Sequence, residues 1–236
     1  MCTSLIYRDI AKKEFGIGFN RDESIKRKPS FDPVEENTNG IKILYPVDGD
    51  YGGTWIGVSS KNKIYALLNL YEANLKILRN PKSRGFFVKN LLKEEIDFDY
   101  FTKENLLIYY PFRILEVTLG FTRILSWDGE NVNCIQNEVP WSVVASSFVL
   151  GKEAEEVRSK TFMEEFLKDE TIDFETISSA FLTCHLPEKG AKSPCMHRRE
   201  AHTVSNTIIS IKEGKIKLLY KNQQPCETNE SKEYNL

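Results

Sequence analysis

The chain has 236 residues, 32 basic and 34 acidic, for a formal charge of −2. Charges so evenly balanced and mixed exclude an electrostatic footing for nucleic acid or for an anionic membrane surface. The apolar runs fall far short of the ~20 residues that a membrane span needs. Arg8, Asp9, Lys12 and Lys13 break up the apolar core that a signal peptide would carry, so the expected location is the cytoplasm. With no linker, repeat or charge block, the reading is one domain over residues 1–236, large enough to bury about three-quarters of its unfolded surface.

Two short strands, Thr3 to Tyr7 and Phe15 to Phe19, are expected first, joined by a polar turn at Lys12-Lys13. The second ends in Asn20-Arg21-Asp22-Glu23, and the antiparallel return brings that cluster back beside Cys2. Residues 21–39, charged and carrying Pro29 and Pro33, read as a long loop of the kind that serves as a lid or binding segment. Strands follow at Ile41 to Tyr45, Thr54 to Ser59 and Lys63 to Asn69, with turn chemistry at Asp48 to Gly53 and a hairpin at Ser60-Lys61-Asn62. Gly52-Gly53 permit close backbone approach, and Trp55 is either core or a pocket wall.

Ser83 is placed to cap a helix over Gly85 to Leu92, with Arg84 either binding an anion or making a surface ion pair. A short helix over Lys103 to Tyr109 precedes a meander at Phe112 to Leu119, Thr122 to Trp127 and Asn131 to Gln136, where a second sheet would start. Helices are expected at Glu153 to Lys168 and, behind an Asp cap, at Asp173 to Leu182. A hairpin of Thr203 to Ile211 and Lys215 to Tyr220 turns at Glu213-Gly214, before a loose polar tail from Asn222. Strands, then helices, then strands give an α+β fold of two stacked antiparallel sheets with helices outside.

If Met1 is removed, Cys2 carries a thiol of pKa about 8.5 and a free amine of about 8 on one residue, a nucleophile with its own base. The other reading of Cys2 is a small buried hydrophobe. The remaining cysteines are Cys134, Cys184, Cys195 and Cys226. The pairs Cys184-His185 and Cys195-Met196-His197 match no recognised finger spacing, so structural cysteines and no metal are expected.

Met1-Cys2 with the downstream Asn-Arg-Asp-Glu resembles the NRDE family, also called the transport and Golgi organisation protein 2 family. Further blocks agree in order: Gly52 to Ser59, Ala66-Leu67-Leu68-Asn69, Ser83-Arg84-Gly85, Asn137 with Pro140-Trp141, and Asn206-Thr207-Ile208-Ile209. The resemblance covers nearly the whole chain. It implies a four-layer αββα fold of the N-terminal-nucleophile hydrolase type.

Carried over residue by residue, it implies a cysteine amidohydrolase acting on a non-peptide amide. Cys2 would attack, Asp22 hold the amine, and Asn69 and Asn137 donate to the oxyanion, with Asn20, Arg21, Glu23, Trp55 and Arg84 toward substrate. Related penicillin and bile-salt amidases have a further arginine, whose place here falls to Val204. Arg198, Arg199, His197 and His202 lie near that position in sequence. No cofactor is expected. The competing implication is a non-catalytic haem or acyl-ligand carrier, with His185, His197, His202 or Cys2 as axial candidates. The expected partner is a small amide or hydrophobic ligand, with no nucleic acid and no membrane span, and a homo-oligomer is admissible.

Overall fold

The structure, a computed structural model, describes residues 2–71, 78–168 and 172–236. Two antiparallel sheets are stacked face to face. The first holds six strands in the order β10-β1-β2-β11-β12-β13, and the second runs β3 to β9 in sequence order. Their ranges are β1 Cys2–Asp9, β2 Glu14–Ser24, β3 Phe31–Thr38, β4 Ile41–Val47, β5 Ile56–Ser59, β6 Lys63–Asn69 and β7 Phe112–Val117. Then come β8 Thr122–Trp127, β9 Val132–Asn137, β10 Trp141–Ser146, β11 Ala201–Lys212, β12 Lys215–Lys221 and β13 Lys232–Asn235. The helices are α1 Gly85–Leu92, α2 Lys103–Leu106, α3 Glu153–Thr161, which continues through a π turn to Phe166, and α4 Phe174–Thr183. No helix among the described residues is long and apolar enough to cross a membrane.

The layers follow from the period-2 alternation of strand side chains. In β2, Phe15, Ile17 and Phe19 enter the core between the sheets, with Ile6, Ile56, Leu68 and Leu115. The alternate positions, Gly16 and Gly18, face outward under α4. A Cβ on Gly16 would lie 2.4 Å from a Phe174 ring carbon, and one on Gly18 2.7 Å from Leu182 Cδ1. Leu5, Phe162 and Phe181 fill this outer layer. On the far side, α1 lays Phe87, Val88, Leu91 and Leu92 against Tyr45, Tyr65 and Trp127. The result is an αββα sandwich, as expected.

Several boundaries differ. The stretch 31–38 is not loop but the strand β3, paired with β4 and bulged between Phe31 and Val34. It is an outer edge strand, where charge and Pro33 are tolerated because one side pairs with no strand among the described residues. The meander does not open a second sheet, because β7 pairs with β6 and extends the sheet already begun. The strand that returns to the first sheet is β10, which sequence reading left unassigned. α1 is N-capped by Arg84, with Ser83 Oγ accepting only a long 3.4 Å bond from Gly85 N–H. The polar tail is tied down where β13 pairs with β12. The Asp173 cap holds, its carboxylate accepting from Thr176 N–H at 3.0 Å.

Candidate active site

β2 runs through the whole Asn-Arg-Asp-Glu stretch, because β11 pairs with it from Glu14 to Ser24. Alternation then splits the four residues. Asn20 and Asp22 point to the helix side and Arg21 and Glu23 to the opposite side, where Arg21 is the register partner of Cys2.

On the helix side both side chains are held by buried protein partners. Asn20 is fully buried, donating to Leu182 O at 2.7 Å and Pro194 O at 2.9 Å and accepting from Asn206 Nδ2 at 2.9 Å. Asp22 accepts from Thr203 Oγ1 at 2.6 Å, and Thr203 accepts from Met196 N–H at 2.8 Å. Burial pushes the Asp22 carboxyl above the usual carboxylate range, opposed by the Arg158 charge and the Thr203 hydrogen bond. Arg158, on α3, is itself fully buried and donates to Thr3 Oγ1 at 2.7 Å, Ala191 O at 2.9 Å and the Cys2 carbonyl at 3.4 Å. Sequence reading missed it. Its signal was helical spacing: Ala154, Arg158 and Thr161 form the buried stripe of α3, and an arginine on such a stripe needs a partner.

The opposite side opens onto a cavity of about 470 Å³, with walls that include Arg21, Glu23, Trp55, Asn69, Arg84 and Tyr110. The Arg21 guanidinium lies over the Trp55 ring at 4.4 Å, a cation–π contact, and donates to Asp48 Oδ2 at 2.6 Å. Glu23 lies 3.3 Å from Arg21 and 3.8 Å from Arg27, and Arg27 also binds Asp48. Trp55 is buried at 6% exposure, and its indole N–H has no hydrogen-bond partner among the described residues. Asn69 donates to Tyr71 Oη at 2.6 Å, so its amide is engaged and not wholly free. Arg84 donates to Pro111 O at 2.8 Å, and burial pushes its pKa below the usual arginine range. One wall is set by backbone alone: a Cβ on Gly53 would lie 2.9 Å from Gly85 Cα, and Thr54 N–H donates to Gly85 O at 3.0 Å. The close approach expected of Gly53 is thus made to the start of α1.

Cys2 is 8% exposed and lies between Ser146 on β10 and Arg21 on β2, the latter a residue of the cavity wall. Burial pushes its thiol up to about 11, reinforced by the Asp22 and Glu23 carboxylates and opposed by the N-terminal charge and the backbone N–H of Asp22. Met1 lies outside the described residues.

Asn137 is not brought to this site. Asn69 is in register with Phe112, and through it with Trp127 and Val132, whereas Asn137 pairs with Thr122 at the other end of the sheet. That end meets β1 at Arg8, whose N–H donates to Pro140 O at 2.8 Å, about 20 Å along the strand from Cys2. The polar group beside Cys2 is instead Ser146, whose buried hydroxyl has no partner among the described residues. Val204 lies at the β-bulge between Thr203 and Ser205 and lines a second cavity of about 330 Å³ with Arg21, Glu23, Arg27 and His202. Cys184 and His185 do not act as a pair. His185 instead meets Cys195, His197 and Cys226, their ligand atoms all within 4.8 Å of one another, a grouping that the sequence spacing of the two pairs does not display.

Comparison with known proteins agrees with this architecture. The Caenorhabditis elegans orthologue of N-acylethanolamine-hydrolyzing acid amidase superposes with a TM-score of 0.57 at 13% identity, covering 100% of each chain. A mutant of the conjugated bile acid hydrolase from Clostridium perfringens gives a TM-score of 0.53 at 13% identity, covering 100% of this chain and 92% of that one. At such identity the likeness establishes the fold alone. The Transport and Golgi organization protein 2 homolog of Bos taurus is 34% identical over 79 residues, 33% of this chain and 28% of the bovine protein. The match therefore spans less than a third of that relative's length. The model of the family described as Transport and Golgi organisation 2 matches residues 1–223, and the chain belongs to that family.

Proposed function

We propose that the protein is a cysteine amidohydrolase that cleaves a non-peptide C–N amide through an acyl-enzyme on Cys2, after removal of Met1. The observation that carries this is the setting of Cys2: its register partner Arg21 lines a ligand-sized cavity, and the buried Asp22 carboxylate lies on the same neighbouring strand. The activities named for the two structural neighbours, a hydrolase and an amidase, support the reaction class.

A thiol pushed up to about 11 is protonated at neutral pH, so attack requires a base at hand. In the mature chain the Cys2 α-amine fills that role, with Asp22 fixing it as the ammonium form develops. The Cys2 Sγ–carbon bond forms as the thiol proton passes to the amine. The oxyanion takes the second N–H of the Asn69 amide, a donor of the kind worth about 2.7–4 kcal/mol. The C–N bond then breaks as the ammonium returns its proton to the leaving amine, and water releases the acid by the same route. Trp55 N–H is a further donor for a polar substrate group, and Arg21 and Arg84 favour a substrate carrying a negative charge. We place the protein in the cytoplasm, on the sequence grounds given above.

The test is intact mass before and after a thiol-reactive probe, with Cys2→Ala as control. Loss of the Met1 mass, with fast labelling absent from Cys2→Ala, is expected. Retained Met1, or labelling no faster than a free thiol, overturns the hydrolase and leaves a ligand-binding protein on this fold.

A further inference from the structure

Outside the cavity, the most concentrated chemistry is the cluster of His185, Cys195, His197 and Cys226. Its members come from three separate segments. His185 follows α4 after one residue, Cys195 and His197 precede β11, and Cys226 follows β12. The two Nε2 atoms of His185 and His197 are 2.9 Å apart, with the rings at 74° to each other. Cys195 Sγ and Cys226 Sγ lie 3.7 Å and 3.4 Å from the same His197 Nε2.

Two imidazole nitrogens and two sulfurs have thus converged on one point. A tetrahedral ion with Zn–S of about 2.3 Å and Zn–N of about 2.0–2.1 Å requires ligand atoms about 3.3–3.8 Å from one another. The two S···N separations to His197 fall inside that span, the histidine pair needs to open by about 0.4 Å, and the remaining pairs, all within 4.8 Å, lie within reach of side-chain adjustment. We propose that these four residues bind one Zn²⁺. A set of two thiolates and two imidazoles selects zinc over harder divalent ions. Binding displaces the two thiol protons to solvent, and two thiolates with two neutral imidazoles neutralise the ion, so the half-buried site carries no net charge.

The surroundings are built for this role. Cys195 N–H donates to Cys184 O and His197 N–H to Gly190 O, while Ser193 Oγ donates to Cys195 O at 2.6 Å, which fixes the turn bearing two ligands. The Gln224 side-chain amide lies 2.9 Å from His197 Nδ1 and 3.2 Å from its Nε2, so metal binding requires it to withdraw from Nε2; turned so that its oxygen faces Nδ1–H, it then holds Nε2 toward the metal. The site also reaches the candidate active site. Met196, between two ligands, donates its N–H to Thr203 Oγ1, and Thr203 donates to Asp22. Zinc is therefore a clip that joins the segment after β12 to the loop holding Asp22 in place. The proposal is independent of any amidase activity.

The test is metal analysis of the full chain, purified without metal-affinity steps or chelators, together with optical spectra after replacement of zinc by Co²⁺. One zinc per chain is expected, and the Co²⁺ form is expected to show the visible bands of a tetrahedral ion and a near-ultraviolet thiolate charge-transfer band. Cys195→Ser and Cys226→Ser lose the metal, whereas Cys184→Ser keeps it. Gln224→Ala weakens zinc about 10-fold or more, as loss of such an orienting partner does. Where a cysteine variant does not fold, the Co²⁺ spectrum of the unaltered protein decides. An octahedral spectrum, no uptake from excess Zn²⁺, or a Cys195–Cys226 disulfide in freshly purified protein would each overturn the proposal.

Discussion

The two faces of one short stretch of β2 differ more than any two elements of the molecule. Toward the helices, Asn20 and Asp22 are sealed in, with named protein partners at hydrogen-bond distance. Toward the cavity, Arg21 and Glu23 belong to a charged network with Asp48 and Arg27 that borders open space. Four consecutive polar residues therefore do two jobs. The even positions fix the strand that adjoins Cys2, and the odd positions line the cavity.

Substitutions on the two faces test this division. The largest effect is expected for Arg158→Ala, which removes the main opposing charge near the buried Asp22 and strands the Thr3 hydroxyl and the Ala191 carbonyl, a loss of about 3–5 kcal/mol. Urea unfolding measures it. Asn20→Ala strands two backbone carbonyls and the Asn206 amide, and about 2–3 kcal/mol of stability should be lost in the same assay. Arg21→Met is expected to cost no more than about 1.5 kcal/mol, since Asp48 keeps Arg27 and the Asp50 and Tyr51 N–H donors. Its main effect should fall on binding of anionic ligands in the cavity. If Arg21→Met proves as destabilising as Asn20→Ala, the division between faces is wrong.

The smallest effect lies far from the site, where Glu36 on β3 bridges to Lys89 and Lys93 around α1. Burial pushes its carboxyl up, but hydrogen bonds from Lys89, Tyr45 and Lys93 prevail and hold it at about 2. A carboxyl held below its ordinary value stabilises the fold above the usual carboxylate range, and that contribution fades as pH falls toward 2. A third of this side chain is exposed, so screening leaves about 1 kcal/mol. Glu36→Gln should lower the urea midpoint at pH 7, with the gap closing at acid pH. An undiminished gap there would assign the loss to packing.

Local signals in the sequence were good guides where the structure is local. The period-2 runs of β1 and β2, the Asp173 cap and the Glu213-Gly214 turn depend on neighbours in the chain, and all are present. Position relative to distant strands was not legible. Asn137 ends a strand, as Asn69 does, yet the up-and-down course of β6 to β9 puts them at opposite ends of the sheet. β3 read as loop because its outward residues are charged, as an edge strand permits. The fourth member of the Cys/His cluster is 29 positions beyond the third, across an entire hairpin, and no spacing rule reaches that far.

The Gly53–Gly85 contact fixes what an engineer of this cavity is free to change. A wall made of two backbones in contact has no side chain to trim or enlarge, and any Cβ there pushes α1 away from the sheet. Variation in cavity size comes from side-chain walls such as Trp55, Leu67 and Tyr110, while this one serves as the datum against which they are measured. A library that alters those three positions should reshape the cavity with α1 undisturbed. A library at the glycines should yield mostly chains that no longer close.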